Sequence, residues 1–500
     1  MNQIKIDLER ILSDIDRNIF GGYLENLVYG GIYYPQSPHA DKDGLRADVL
    51  SALDRWKLPN MRFPGGNFAS NYDWQDAIGP LKDRPVTHNL AWNTFVSNRF
   101  GTDEFIKFCR KMNIAPYICV NCGDGDMREA ADWVEYCNGT GNSSLVKQRR
   151  ENGFAEPHKV IFWGIGNEVD GQWQVGYKTP QEYARAATEF GKVMKRVDPD
   201  IKLVASAVSL WEDHPPFPMF ELQPSKWVER TQLMLEQAGD YLDYLAIHRY
   251  ANVNINDPLE NYMAFAADFD ERLTAYEGLI RAVSLEKGIK HQISIAVDEY
   301  GVMRMPHVGR FDKMVVNLED ALMTGLYLNA FIRHARSVRL ANFTPTLTAL
   351  GVRSSNPGNP LLLETLFYPF ELYSRTCGQL ALDVFWHGDT FSGNYLGRTY
   401  RGIRTLDVTA TLDEAYKQLV VYVVNQSKNA AMDTTISLTS GQFAGNVNVS
   451  IVNGPDIKSE NTYENPNQVV TRETTLKASG KSLTMTFEPH SVTALVCAVS

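Results

Sequence analysis

Short apolar runs alternate with longer amphipathic stretches from about residue 19 to residue 345. The amphipathic stretches include Thr102–Met112 and Gln181–Arg196, and Thr179-Pro180 supplies an N-cap and a first helical residue for the second of these. The apolar runs are the candidate strands: Ile19–Leu24, Asn60–Phe63, Ala115–Asn121, Val160–Ile165, Lys202–Ala207, Tyr244–His248, Gln292–Val297 and Val338–Phe343. Strands that alternate with helices predict parallel pairing through helical crossovers. The pattern therefore predicts an α/β fold, a (β/α)8 TIM barrel. The alternative is a doubly wound sheet, but no glycine-rich phosphate loop follows the first strand.

After about residue 385 the pattern changes to β-branched runs separated by Asn, Gly and Ser, without helical periodicity. The runs that indicate strands here include Leu419–Val424, Thr434–Leu438, Val447–Val452, Ser482–Phe487 and Val492–Val499. This pattern predicts a jelly-roll-like, antiparallel β-sandwich. The N-terminal run Ile4–Leu12 has no place in the barrel, and we expect it to join the sandwich. The predicted division is a catalytic barrel over residues 18–384 and a sandwich over residues 1–17 plus 385–500, since 500 residues exceed what one core usually serves.

Composition and charge narrow the classes of partner. The chain is 44% apolar and 22% charged, as is ordinary for a globular protein, and its formal net charge is −10. A negative balance argues against a nucleic-acid or anionic-membrane partner. The first ten residues lack the apolar core of a signal peptide, and no run is long enough to span a bilayer. We therefore expect a cytoplasmic protein.

The six cysteines indicate neither a metal nor a disulfide framework. Cys119 and Cys122 form a CxxC pair, but a zinc site usually needs a second pair, which the sequence lacks. We expect reduced thiols packed in the core and no metal site.

Two apolar runs end in a glutamate. The run from Val160 ends in Asn167-Glu168, and the run from Ile293 ends in Asp298-Glu299. Catalytic groups of a (β/α)8 barrel lie at the carboxyl ends of its strands. Two glutamates at that rim can flank a glycosidic bond and cleave it, so this pair predicts a glycosidase.

Four segments resemble glycoside hydrolase family 51, which consists mainly of α-L-arabinofuranosidases: Met61–Pro80, Phe100–Phe105, Trp163–Thr179 and Val297–Tyr300. The resemblance implies a retaining exo-enzyme that removes terminal non-reducing α-L-arabinofuranosyl residues from arabinose-containing oligosaccharides. It also implies a homo-hexamer. Two carboxyl groups and water suffice for this chemistry, so we expect no cofactor.

The resemblance also assigns roles. It implies that Glu168 is the general acid/base and Glu299 the nucleophile, with carboxyl groups roughly 5–5.5 Å apart. It places Asn167 at the sugar 2-hydroxyl, Tyr250 against Glu299 and His248 beside that tyrosine. Glu25, Arg62 and Asn67 would hold the remaining hydroxyls. Trp74 and Trp173, both on predicted rim loops, are the candidate sugar platforms.

The chain departs from the family pattern at four places. Asn26 and Tyr177 stand where many relatives have His, Tyr300-Gly301 stands where Trp-Asn is common, and the eighth strand brings Asn342–Pro345 where a Gln is usual. These changes leave open a retaining glycosidase for another glycan, such as a galactofuranosidase, an endo-glucanase or an endo-xylanase. A non-catalytic carbohydrate-binding protein is the alternative outside enzymes, and the intact glutamate pair argues against it.

Overall fold

The computed structural model describes residues 2–25, 31–209, 226–251, 255–304, 316–351 and 360–500. In chain order its strands are β1 (Asn2–Asp14), β2 (Gly21–Tyr23), β3 (Asn60–Phe63), β4 (Thr87–Asn89), β5 (Thr94–Val96), β6 (Ala115–Val120), β7 (Phe162–Ile165), β8 (Lys202–Val208), β9 (Tyr244–Ala251), β10 (Ser294–Val302), β11 (Val338–Phe343), β12 (Leu380–His387), β13 (Thr390–Tyr395), β14 (Arg398–Arg404), β15 (Leu406–Leu412), β16 (Gln418–Asn425), β17 (Met432–Leu438), β18 (Phe443–Asn453), β19 (Val470–Gly480), β20 (Ser482–Phe487) and β21 (Ser491–Val499). The helices are α1 (Ala47–Trp56), α2 (Thr102–Met112), α3 (Met127–Asn138), α4 (Ser144–Glu151), α5 (Pro180–Val197), α6 (Trp227–Ala238), α7 (Leu259–Lys287), α8 (Leu318–Arg333) and α9 (Phe367–Thr376).

Eight strands close into a parallel barrel in the order β10-β11-β2-β3-β6-β7-β8-β9. Each corresponds to one of the predicted runs, so the predicted (β/α)8 barrel is confirmed. The first strand is shorter than predicted, because Arg17–Phe20 forms a 3-10 turn that Asp16 caps by accepting from the Asn18 amide.

Helix α5 illustrates how the sequence sets the barrel's outer layer. Thr179 accepts from the Glu182 amide, Glu182 bonds back to Thr179, and Pro180 occupies the first turn. Tyr183, Ala187 and Phe190 recur at helical spacing and are buried. The predicted helix over Gln181–Arg196 is therefore present, extended by one residue at each end.

A nine-stranded sheet forms the second region, in the order β19-β18-β21-β16-β15-β12-β1-β17-β20. Strand β1 pairs with β12 antiparallel and with β17 parallel, which confirms that the N-terminal strand joins the C-terminal β region. Two features differ from the prediction: one pairing is parallel, and a single sheet curls until its edge strands β19 and β20 touch. Strand β12 begins at Leu380, before the predicted boundary at residue 385.

The two regions share strand β16, whose side chains are buried on both faces. Leu419, Val421 and Val423 pack inside the curled sheet. Val420, Tyr422 and Val424 belong to the core that the sheet shares with the barrel's helices. Because successive side chains of a strand point to opposite faces, a strand covered on both sides needs a continuous apolar run. The position of β16 between the two cores therefore accounts for its apolar sequence, LVVYVV.

The barrel interior holds a small cluster with one side chain from each of six strands: Tyr117, Phe162, Val204, Ala246, Ala296 and Leu340. This cluster lies beneath the rim where the predicted site residues emerge. All six cysteines are free thiols, five of them buried and Cys377 half-buried, which confirms that they are core residues. Among the helices described, none has both the length and the apolar character required to cross a membrane.

Candidate active site

The two glutamates meet at the carboxyl ends of the barrel strands. Glu168 lies three residues beyond the end of β7, whereas Glu299 lies within β10, opposite His248 of β9. One carboxylate oxygen of Glu168, one of Glu299 and a ring nitrogen of His248 all lie within 4.8 Å of one another. Inverting glycosidases separate their carboxyl groups by roughly 6.5–9.5 Å to hold a water between them, and retaining ones by roughly 5–5.5 Å. The observed gap is suited to direct attack by one carboxylate.

Glu299 is held by two strong contacts. Arg62 Nη1 lies 2.6 Å from its Oε1, and the Tyr250 hydroxyl donates to its Oε2 at 2.6 Å. The Tyr250 hydroxyl is also 3.0 Å from Thr344 Oγ1. Gly66 lies so close that a Cβ there would be 2.6 Å from Glu299 Oε1, so glycine is required at this position. These contacts fix the orientation of the carboxylate.

Glu168 has different surroundings. His248 Nδ1 is 3.0 Å from its Oε1, while Trp173 Nε1 and Gln174 Nε2 donate to its Oε2 at 3.2 and 3.1 Å. Burial raises the pKa of the Glu168 carboxyl, and the charge of Glu299 adds to the rise, whereas the hydrogen bond from His248 opposes it. A carboxyl with a raised pKa can retain a proton for donation.

His248 lies between carboxylates on both sides of its ring. Its Nε2 forms an ion pair with Asp298 Oδ1 at 3.2 Å, and its Nδ1 is 3.5 Å from Glu299 Oε2. Burial alone would lower the pKa of His248, but Glu299, Asp298 and Glu168 together raise it well above its usual 6.5. The three carboxylates therefore favour the protonated, cationic form of the ring.

Asp298 anchors this cation from below. The Tyr117 hydroxyl donates to Asp298 Oδ2 at 2.7 Å, and Arg62 Nε lies 3.4 Å from the same oxygen. Burial would raise the pKa of Asp298, but Arg62 and His248 hold it below its usual value. Two cations, Arg62 and His248, thus face three carboxyls, and one proton on Glu168 makes the cluster electrically neutral.

An amide network extends from Arg62 across the pocket. Arg62 is 1% exposed, and its Nη2 donates to Asn167 Oδ1 at 2.7 Å. Asn167 Nδ2 reaches Asn67 Oδ1 at 3.4 Å, and Gln174 Nε2 also donates to that oxygen. Arg62 therefore holds Asn167 and Glu299 in place. Asn67 and Asn167 form the polar surface of the pocket. The sequence reasoning did not select Gln174, although it lies in the Trp163–Thr179 segment.

Glu25 lies on the first strand's side of the pocket. Its Oε1 accepts from Trp92 Nε1 at 2.8 Å, and burial raises the pKa of its carboxyl to about 7. Trp92 is 37% exposed and lies between β4 and β5. The sequence reasoning did not choose it as a platform, and no local pattern distinguishes it from the other tryptophans.

The two tryptophans selected as sugar platforms lie in different environments. Trp74 is 0% exposed, stacks on Trp133 at 5.7 Å between ring centroids and donates to the Glu129 carbonyl at 3.3 Å. Because neither face of its ring is accessible, the prediction that Trp74 is a sugar platform is wrong. Trp173 is half-buried and contacts Glu168 directly.

The departures from the family pattern lie in different places, and the Asn342–Pro345 stretch reaches the pocket through Thr344, which is 3.0 Å from the Tyr250 hydroxyl. Tyr300 is buried against Tyr327 and Phe331. Gly301 lies against the Pro345 ring, where an added Cβ would come within 2.5 Å of Cδ. Tyr177 is 39% exposed at the surface of the Glu168 loop, and Asn26 lies outside the described residues.

The central cluster is unsuited to a metal ion. Glu168, His248 and Glu299 offer three ligand-type atoms within 4.8 Å. An imidazolium has no free lone pair, however, and the Arg62 guanidinium beside Glu299 repels a second cation. The arrangement is that of a carboxyl pair set for acid/base and nucleophilic chemistry.

Comparisons with known proteins agree with this geometry. Two family models match the chain: the "Alpha-L-arabinofuranosidase 1 domain" over residues 52–272 and the "Alpha-L-arabinofuranosidase C-terminal domain" over residues 298–491. The chain is 31% identical to the intracellular exo-alpha-(1->5)-L-arabinofuranosidase 1 of Bacillus subtilis, over 97% of each protein. It is 32% identical to alpha-L-arabinofuranosidase C of Emericella nidulans, over 98% of this chain and 96% of that one. The crystal structure of the Thermotoga maritima alpha-L-arabinofuranosidase in complex with arabinose superimposes with a TM-score of 0.88 at 33% identity, over 100% of both chains.

Proposed function

This chain belongs to the α-L-arabinofuranosidases of glycoside hydrolase family 51, and we propose that Glu168 and Glu299 perform its reaction. The enzyme is a retaining exo-glycosidase that acts on terminal non-reducing α-L-arabinofuranosyl residues. The observation that supports these roles is the separation of at most 4.8 Å between one oxygen of each carboxylate, with His248 between them.

In the first step, Glu299 attacks the anomeric carbon and forms a glycosyl-enzyme, while Glu168 protonates the departing oxygen. Arg62 binds one oxygen of Glu299 and Tyr250 binds the other, which fixes the plane of the carboxylate and its direction of attack. Among the described residues no arginine pairs with Glu168, and its raised pKa keeps the proton available.

In the second step, Glu168 is an anion and removes a proton from the incoming water, which displaces Glu299 from the sugar. The His248 imidazolium at 3.0 Å stabilises Glu168 in this charged form. The ion pair between His248 and Asp298 keeps the ring cationic through both steps.

The sugar hydroxyls are bound by the polar side chains around this pair. Asn167 binds the 2-hydroxyl, a contact that strengthens in the transition state. Asn67 and Glu25 bind the remaining hydroxyls, and Arg62 acts mainly by orienting Asn167 and Glu299. Trp173 covers the leaving-group side beside Glu168.

Arabinose-containing glycans are the substrates, and within that class we propose short arabinofuranosyl oligosaccharides. The "intracellular" in the name of the Bacillus subtilis relative supports a cytoplasmic site of action. We also propose a homo-hexamer, and a division in which the β domain comprises residues 1–17 and the chain from about the start of β12 at Leu380.

A panel of aryl furanosides and pyranosides tests the proposal. We expect nitrophenol release from the α-L-arabinofuranoside, and proton NMR should show that the first sugar formed keeps the anomeric configuration of the substrate. Release from a galactofuranoside or an endo-substrate alone would identify another glycosidase. Binding of oligosaccharides without hydrolysis of any glycoside would instead indicate a carbohydrate-binding protein.

A further inference from the structure

We propose that Asp170 is a positioning residue that ties the Glu168 loop to strand β8 and so aims the acid/base at the leaving group. Its Oδ2 accepts from the Ser209 amide at 2.9 Å, and its Oδ1 accepts from the Ser209 hydroxyl at 2.6 Å. Ser209 directly follows Val208, the last residue of β8. This inference rests on the assignment of Glu168 as acid/base.

The backbone of Glu168 needs such support. Its φ is +43°, in the left-handed region that a residue with a β-carbon seldom adopts. A conformation of this kind persists only where the surrounding structure holds it, and such positions cluster at functional sites. Glu168 itself ends no regular element that could hold it, because β7 stops at Ile165.

The residues after Glu168 form one compact unit. The Gly171 amide donates to the Glu168 carbonyl at 2.8 Å, and the Trp173 ring lies over Gly171, where an added Cβ would come within 2.4 Å of it. Trp173 and Gln174 then donate to the Glu168 carboxyl. Each of these contacts lies within the loop, so together they shape the loop without fixing its place on the barrel.

Contacts at three places join this unit to the barrel frame. In its middle, Gln174 donates to Asn67 Oδ1 and accepts from the Ser70 hydroxyl at 3.1 Å. At its far end, the Lys178 ammonium donates to the Cys122 carbonyl at 2.6 Å. At its near end, Asp170 is bound to Ser209. Asp170 is two residues from Glu168, so its tether controls where the acid/base carboxyl points. A displacement of about 1 Å at a reacting group can reduce rate about 100-fold.

Asp170 also adds a negative charge beside Glu168. In the described part of the chain, the charged groups around Glu168 are His248 from β9, Glu299 and Asp298 from β10, Arg62 from β3, and Asp170 from its own loop. The charge of Asp170 contributes to the raised pKa of Glu168. Removing this charge lowers the pKa of Glu168. Because Glu168 must be protonated for the first step, the basic limb of the pH profile of kcat/KM then moves to lower pH.

The test compares two arabinofuranosides, one with a nitrophenyl leaving group and one with an alkyl leaving group that needs protonation. We expect Asp170→Ala to reduce kcat/KM about 10- to 100-fold for the alkyl glycoside and far less for the nitrophenyl glycoside. Asp170→Asn retains an acceptor for the Ser209 amide, so it should recover much of the alkyl activity and show the shifted basic limb. Ser209→Ala should give a smaller loss of the same kind.

Asp243→Asn is the matched control. Asp243 Oδ2 accepts from the Leu203 amide at 3.0 Å, so it binds the backbone at the other end of the same strand, far along β8 from the pocket. This variant should lose thermal stability without any dependence on the leaving group. The Asp170→Ala and Ser209→Ala effects should be strongly non-additive, because both remove one tether.

Equal losses on both glycosides in Asp170→Ala, or additive effects of the two substitutions, would overturn the inference. If Asp170→Ala does not fold, Asp170→Asn and Ser209→Ala carry the same comparison. A wild-type protein that hydrolyses neither arabinofuranoside would overturn the proposed function as well. An active wild type with unselective losses would overturn this inference alone.

Discussion

Glu299 lies inside strand β10, whereas Glu168 lies on the loop beyond strand β7 with a left-handed backbone. Glu299 is bound by a guanidinium and a phenol, each at 2.6 Å. Glu168 is bound by one imidazolium and two neutral donors at 3.0 to 3.2 Å. A nucleophile must keep one attacking direction, so a strand and two short contacts suit it. An acid/base must gain and lose a proton, so weaker and partly neutral contacts suit it.

The largest effect expected from this comparison is that of Glu299→Ala. Without the carboxylate no glycosyl-enzyme forms, so kcat should fall by about 10⁴-fold or more on every arabinofuranoside. The loss should not depend on the leaving group. Steady-state kinetics on the nitrophenyl and alkyl glycosides measure this, with the melting temperature as a check on folding. Retention of a tenth of the wild-type rate would exclude Glu299 as the nucleophile.

Glu168→Ala should show a dependence on the leaving group that Glu299→Ala lacks. General acid catalysis contributes about 10²- to 10⁴-fold, and this should be lost on the alkyl glycoside. A nitrophenolate leaves with little protonation, so formation of the glycosyl-enzyme from that substrate should be far less affected. Pre-steady-state release of nitrophenol measures this step by itself. Equal losses on the two substrates would contradict the assignment of Glu168.

Tyr250→Phe probes the fixed orientation of Glu299. It removes a hydrogen bond to a charged acceptor, a contact that contributes about 1.5–3 kcal/mol, so kcat/KM should fall about 10- to 100-fold. Tyr136→Phe is the matched control, because the Tyr136 hydroxyl donates to the buried Asp103 carboxylate at 2.9 Å outside the pocket. The control should lose stability and retain its kcat/KM. Similar kinetics in both variants would show that Tyr250 does not orient the nucleophile.

The barrel could be predicted because each of its strands is buried on both faces and reads as an apolar run. Strand β16 was found for the same reason. Strand β19 was not predicted, since nearly all of its side chains are at least partly exposed and its sequence VTRETTLKASG reads as polar. The parallel pairing of β1 with β17 has no local cause in the sequence, because register between distant strands is decided by the assembled core.

The candidate site could be predicted where the position of a residue along a strand determines the direction of its side chain. Glu168 and Glu299 follow apolar runs, so the barrel geometry brings them to one rim. Trp74 was misassigned because a place on a rim loop does not determine which way a ring turns, and its ring stacks on Trp133 in the core. Gln174 and Tyr117 were missed because their partners, Glu168 and Asp298, come close only in the folded chain.

Trp173→Phe should have the smallest effect on catalysis and would sharpen the comparison at Glu168. It removes one neutral donor at 3.2 Å while Gln174 remains at 3.1 Å. A neutral hydrogen bond contributes about 0.5–1.5 kcal/mol, so the alkyl glycoside should lose about 2- to 10-fold in kcat/KM and the nitrophenyl glycoside less. Trp74→Phe is the control. The Trp74 indole donates to the Glu129 carbonyl within the core, so this variant should lower the melting temperature and leave the ratio of the two substrates' kcat/KM values unchanged. If Trp173→Phe reduced both substrates equally, the indole would act on the sugar rather than on the acid/base, and the contrast between the two carboxyls would depend on His248 and Gln174 alone.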